Sequence, residues 1–229
     1  MLFHINIMNN NLKLLPLISI LLLASCESKK CSQIDYYQFE VPFTLAPALD
    51  TFKIGDTITF NSRFEKNVKE LNTDEVYTLE NFNFYPSTEI NKIDVNPAID
   101  GTLSFELITE DSTNYKIENL SFRQYIQGEH NFDGQQYTLT YKLIPKEKGL
   151  FHLEQASWLT VGVRTGQNQS FDGKCSGKDM GGITNLNDGA DNNIELLLDS
   201  PDPNFNSWIL EKPYQRFHKF GGYCFYVVE

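Results

Sequence analysis

The sequence predicts a mainly β protein: an antiparallel β-sandwich, immunoglobulin-like or related, with one or two short C-terminal helices. Three observations predict it. Tyr137, Leu139, Tyr141 and Leu143 alternate with Thr138, Thr140 and Lys142, the period-two pattern of a strand with one buried face. Runs of this kind are broken by the turn dipeptides Asp100-Gly101, Asp133-Gly134 and Lys148-Gly149. The closing run Tyr223-Cys224-Phe225-Tyr226-Val227-Val228 is apolar on both parities, as in a strand covered on both sides.

Residues 1–25 read as a leader, 26–38 as a tether and 39–229 as a single sandwich domain. Along that domain, Ile54-Gly55-Asp56-Thr57-Ile58 reads as a Gly-Asp turn opening a strand. Tyr77 and Leu79 share one parity while Phe82 and Phe84 share the other, which predicts a bulge or bend near Asn81. Leu103, Phe105 and Leu107 alternate with Ser104 and Glu106 and predict a strand. Phe151 and Leu153 start another, and Leu159, Val161 and Val163 a further one. The stretch 164–193 is rich in Gly, Asn, Asp and Ser and is expected to be a long loop. Asn193 to Asp199 reads as a short helical turn with Asn193 as its cap. Asn206 to Phe220 reads as a helix interrupted or restarted at Pro213 and ended by Gly221-Gly222.

The leader has an apolar core, Leu14–Ala24, that at about 11 residues is too short for a bilayer, which takes roughly 20. Lys13 is the only basic residue ahead of it, and Met8 is an alternative start to Met1. Leu23-Ala24-Ser25-Cys26 resembles the lipobox of bacterial lipoproteins. The resemblance implies cleavage between Ser25 and Cys26, lipidation of Cys26 and a membrane as partner. Two or more acyl chains hold a protein stably where one does not. Glu27-Ser28-Lys29-Lys30 is then a polar tether, and the membrane face stays open.

Loss of the leader takes the net charge from −11 to −12, because Lys13 is the only charged residue removed. That balance argues against nucleic acid as a partner, since phosphate neutralisation needs clustered Lys and Arg. Of four cysteines, Cys26 is assigned to lipid, leaving Cys31, Cys175 and Cys224. Three pairings are open. The expectation taken forward is a Cys175–Cys224 disulfide, because Cys31 lies in the tether while Cys224 lies in an apolar strand. A bridge of that span would stabilise by roughly 4 kcal/mol on the chain-entropy model.

Val41-Pro42-Phe43-Thr44-Leu45-Ala46-Pro47 followed by Phe52-Lys53-Ile54-Gly55-Asp56-Thr57-Ile58 resembles the opening of uncharacterised lipoproteins from Bacteroidetes-type bacteria. Lys174-Cys175-Ser176-Gly177 and Gly221-Gly222-Tyr223-Cys224-Phe225 are similar to their C-terminal half. The resemblance implies a mostly β fold and outer-membrane attachment, and no activity.

No His-Glu-x-x-His, Walker loop, Gly-x-Ser-x-Gly elbow or Cys-x-x-Cys is present. His130, His152 and His218 are scattered. Asn185–Asn193 concentrates oxygen ligands, but an EF-hand register with Gly189 at position six puts Leu186 where an oxygen is needed, so a plain turn is the preferred reading. No metal or cofactor is expected. Trp158 and Trp208 are possible binding platforms, each weighed against a place in the core. The functional expectation is a lipid-anchored, non-enzymatic binding or scaffolding module of the cell envelope, with an envelope protein or glycan as possible partner. The alternatives are an envelope glycan hydrolase with an unrecognised carboxylate pair and an accessory subunit of an outer-membrane assembly.

Overall fold

The computed structural model describes residues 36–80, 82–109, 115–119, 123–158, 171, 174–175 and 179–229. The leader, the lipobox with Ser25 and Cys26, Cys31, Asn81 and the strand expected from Leu159 to Val163 lie outside the described residues.

The strands are β1 (Tyr36–Ala46), β2 (Thr51–Lys53), β3 (Ile58–Glu65), β4 (Asn67–Lys69), β5 (Val76–Thr78), β6 (Tyr85–Lys92), β7 (Ile99–Asp100), β8 (Phe105–Thr109), β9 (Tyr115–Asn119), β10 (Gln124–Gly128), β11 (Asn131–Phe132), β12 (Gln136–Pro145), β13 (Gly149–Trp158), β14 (Asp179–Leu186) and β15 (Gly222–Val228). They form a β-sandwich. One sheet runs β11-β12-β3-β1-β14 with β8 added to β12; the other runs β2-β15-β13-β6-β10-β9 with β7 added to β6. β4 and β5 make a separate hairpin. Pairing is antiparallel except for β1 with β14 and β15 with β2, which are parallel. β1 begins at Tyr36, and Tyr37 is buried, so the last residues assigned to the tether belong to the sheet.

The sandwich interior is aromatic. Tyr37, Phe39, Phe43, Phe60, Phe84, Tyr141, Phe151 and Phe225 are all buried there, and Phe60 stacks on Tyr141 across neighbouring strands with centroids 4.6 Å apart. β12 follows the expected alternation along its whole length. One polar group of four crosses the interior. Thr88 Oγ1 meets Tyr141 Oη at 2.8 Å and Gln155 Oε1 at 2.6 Å, and it also hydrogen-bonds Tyr115 Oη. Such a network fixes the register of the two sheets, because each partner left unpaired in the interior costs about 1–3 kcal/mol.

β15 is covered on both faces, as its sequence predicts. Tyr223, Phe225 and Val227 point into the sandwich, while Cys224 and Tyr226 belong to a second cluster on the sheet's outer face. That cluster is closed by a helical layer. A 3₁₀ segment, Ile194–Asp199, and two short π-type helices, Asn204–Ile209 and Tyr214–His218, bring Leu197, Ile209 and Phe217 onto Ile93, Leu150 and Cys224. The helical stretch breaks before Tyr214 with Pro213 as N-cap, and ends before Gly221-Gly222, as expected. Gly222 is required by close approach: a Cβ there would stand 2.5 Å from the Phe217 ring.

Four expectations are corrected. The loop over 164–193 contains β14, whose Met180, Thr184 and Leu186 are buried. Gly181 and Gly182 hid the alternation; a Cβ on Gly182 would lie 2.6 Å from the Ser157 carbonyl, so the strand edge needs that glycine. Leu103 is 61% exposed, because Thr102–Ser104 is a 3₁₀ turn and the strand starts only at Phe105. Asn193 occupies the N-cap position but is left-handed (φ 58°) and caps no N–H; its amide donates to the carbonyls of Leu49 (3.2 Å) and Cys224 (3.0 Å).

The fourth correction is the disulfide. Cys224 carries a free, buried thiol facing the helical layer. Cys175 sits in the sandwich core, its carbonyl accepting the Tyr37 hydroxyl at 2.7 Å. The two lie on opposite sides of the second sheet, so a bridge between them is sterically closed. Cys175 is itself disulfide-bonded, with a partner outside the described residues.

Candidate functional site

On β13 the odd-numbered residues Phe151, Leu153 and Gln155 enter the sandwich, so the even-numbered His152, Glu154 and Ala156 face the helical layer. In the same register Glu154 stands opposite Glu89 of β6 and Gly222 of β15. Glutamates directly opposed on one face of an antiparallel pair have Cβ atoms about 4.5–5.5 Å apart. Gly222 and Ala156 supply little side chain beside them. The result is an open hollow of about 220 Å³ at the edge of the helical layer, lined by Glu89, Glu154, Ala156, Trp208, Arg216 and Phe220.

The electrostatics distinguish the two glutamates. Arg123 holds Glu89, with Nη1 to Oε2 at 2.7 Å. Burial raises the Glu89 pKa, Arg123 opposes the rise, and Asp100 adds to it. At Glu154 burial first, and the Glu89 charge second, outweigh the lowering by Arg123 and lift its carboxyl to about 7. Near neutral pH Glu154 is therefore poised between its protonated and ionised forms.

Trp208 forms the rim. It lies in the Asn204–Ile209 helix, is 54% exposed, and has the Arg216 guanidinium 4.2 Å from its ring centre. Arg216 also donates to the Trp208 carbonyl and to Glu211 Oε2, the latter at 2.8 Å. One indole face is thus fixed by a cation–π contact.

The remaining candidates are structural. His130 and His152 are both buried, and burial lowers each to about 3. His130 Nε2 meets Ser62 Oγ at 3.0 Å, while His152 lies between Phe205 and Phe217 with neither ring nitrogen hydrogen-bonded. In Asn185–Asn193 the amides serve the backbone: Asn187 Oδ1 accepts the Leu45 N–H at 2.8 Å, and Asn192 Nδ2 donates to the Leu186 carbonyl. Asn187, Asp188, Asn192 and Asn193 all take positive φ, a conformation Asn and Asp tolerate. Among the described residues no three His, Cys, Asp or Glu side chains gather as a metal site. Buried Glu70 accepts the N–H groups of Gln38, Asn72 and Thr73 and ties the β4–β5 turn to β1.

Of the residues singled out by sequence, Trp208 is at the hollow and Cys175 and Cys224 are apart. Trp158 ends β13 opposite Tyr85, and its indole lies outside the described residues. Glu89 and Glu154 escaped notice because cross-strand register brings them together, and Arg216 because its helix packs over them; no spacing along the chain encodes either. Neither the protein-family models nor the curated proteins contain a match to this chain.

Proposed function

We propose that the chain is a lipid-anchored protein of the cell envelope that binds a neutral saccharide in the hollow beneath Trp208. The observation that supports the binding reading best is an exposed, fixed indole beside charges that cancel in pairs. Glu89 is matched by Arg123 and Arg216 by Glu211, so the hollow favours neither a strong anion nor a strong cation. A sugar ring offers an apolar face for the indole and hydroxyls for the carboxyls. Protonated Glu154 donates one hydrogen bond and still accepts another. At about 220 Å³ the hollow is below the roughly 300–1,000 Å³ of drug-sized sites and suits a single ring. The anchor rests on Leu23-Ala24-Ser25-Cys26, and outer-membrane attachment on the resemblance to Bacteroidetes-type lipoproteins.

The test is calorimetric titration of the purified full chain with neutral gluco-, galacto-, manno- and xylo-oligosaccharides. Binding by at least one of them, weakened about tenfold or more in Trp208→Ala (~1.4 kcal/mol), supports the reading. Failure of every sugar to bind, or binding unchanged in Trp208→Ala, overturns it. Cys26→Ala is expected to move the protein from the membrane to the soluble fraction; retention at the membrane overturns the anchor.

A further inference from the structure

We infer that Glu154 and Glu89 form a glycoside-hydrolysing pair, with Glu154 as proton donor and Glu89 as nucleophile, acting on the glycosidic bond of a neutral sugar seated against Trp208. This rests on the saccharide-binding reading and adds chemistry to it.

Geometry comes first. Glu154 and Glu89 are directly opposed on neighbouring antiparallel strands, with side chains rising from one sheet face into one hollow. Neighbouring Cβ atoms of such a pair, about 4.5–5.5 Å apart, let both side chains reach one hollow, and retaining glycosidases hold their two carboxyls roughly 5–5.5 Å apart. Inverting enzymes need about 6.5–9.5 Å to fit a water molecule. The environments then divide the roles. Arg123 at 2.7 Å favours the carboxylate of Glu89, whereas burial and the Glu89 charge lift Glu154 to about 7, poised to give up a proton near neutrality. Hydrolysis also needs an element that holds the ring while the bond breaks, and Trp208, braced by Arg216, supplies it.

Each bond is accounted for. Glu154 gives its proton to the glycosidic oxygen as the bond from that oxygen to C1 breaks, and the Glu89 carboxylate attacks C1 to form a glycosyl ester. The alcohol departs. Glu154, now a carboxylate, takes a proton from water whose oxygen attacks C1. This releases the sugar, frees Glu89 and restores the Glu154 proton. One water is consumed, the configuration at C1 is retained, and no redox partner is involved.

The experiment uses the purified full chain with neutral nitrophenyl glycosides and the oligosaccharides of the titration above. Turnover with retained C1 configuration by NMR is expected, declining above about pH 7 as Glu154 ionises. Glu154→Gln and Glu89→Gln should each lose 10²- to 10⁴-fold in kcat. A 2-deoxy-2-fluoroglycosyl fluoride should add its sugar mass to the Glu89 peptide. Sugar binding without turnover overturns the hydrolytic inference and leaves the binding reading standing; absence of binding removes both. Turnover indifferent to both substitutions also overturns the inference.

Discussion

His152 on β13 and Cys224 on β15 stand directly opposite each other in the antiparallel ladder, on the sheet face that the helices cover. Burial pushes the thiol well above its ordinary range and the imidazole down to about 3, so each is neutral and the pair is chemically silent. A reactive cysteine needs a stabilised thiolate and access; this one has neither. Native protein treated with iodoacetamide at pH 8 should leave Cys224 unmodified, and denatured protein should be alkylated there. With Cys26 proposed to carry the lipid and Cys224 free, Cys175 should emerge joined to Cys31 in non-reducing peptide maps. Alkylation of the native protein at a free-cysteine rate, or a Cys175–Cys224 peptide, would contradict this arrangement.

The two buried histidines make the fold acid-sensitive. Each has a folded pKa near 3 against 6.5 when unfolded, so the unfolded state binds the extra proton. Their stabilisation is complete above pH 6.5 and falls by about 1.4 kcal/mol per pH unit per histidine on the way down to pH 3. Urea midpoints at pH 7, 5.5 and 4 measure the fall. His152→Phe, which keeps an aromatic ring between Phe205 and Phe217, should flatten it; an unchanged slope would exclude His152 as a source.

Glu154 acts in the opposite sense. Its pKa is raised from 4.5 to about 7, so its protonated form stabilises the fold below pH 4.5 and that contribution is lost as pH rises through 7. Between pH 4.5 and 6.5 it offsets one histidine. Glu154→Gln should raise stability at pH 8 by about 1–3 kcal/mol and leave it nearly unchanged at pH 4.5. Chemical denaturation at the two pH values decides; equal effects at both would refute the assignment.

Gly222→Ala drives a methyl into the Phe217 ring and so lifts the helical layer. A loss of about 1–3 kcal/mol is expected from such overpacking, with a lower Tm and faster native alkylation of Cys224. A variant as stable and as unreactive as the parent would show that the layer is not seated by this contact.

Thr88→Val keeps the shape of the interior but strips the shared hydroxyl from Tyr115, Tyr141 and Gln155. The expected cost is about 1–2 kcal/mol, since the three groups lose one partner each while Tyr141 still donates to Gln155. A loss below about 0.5 kcal/mol would mean that the sandwich tolerates these groups unpaired.

The sandwich was legible wherever one strand face was apolar and the other polar, as in β12, and in β15, whose two apolar faces announced layers on both sides. Pro213 and Gly221-Gly222 placed the helical break and end, because those residues act through the backbone alone. β14 was not legible. Its inward positions include Gly182 and Thr184, chosen for closeness to Ser157 rather than for hydrophobicity. The hollow was half legible: Trp208 stood out by type, while Glu89 and Glu154 became neighbours only through register, which sequence spacing does not carry.

β1 also has a mechanical meaning. A pull applied at the N-terminal side enters the domain at Tyr36 and runs along β1, which is paired residue by residue with β14 from Tyr36–Asp179 to Phe43–Leu186. Tension along a strand held this way loads its ladder in shear, so the hydrogen bonds share the force instead of opening one after another. The domain is therefore built to be tugged from its first strand without unzipping.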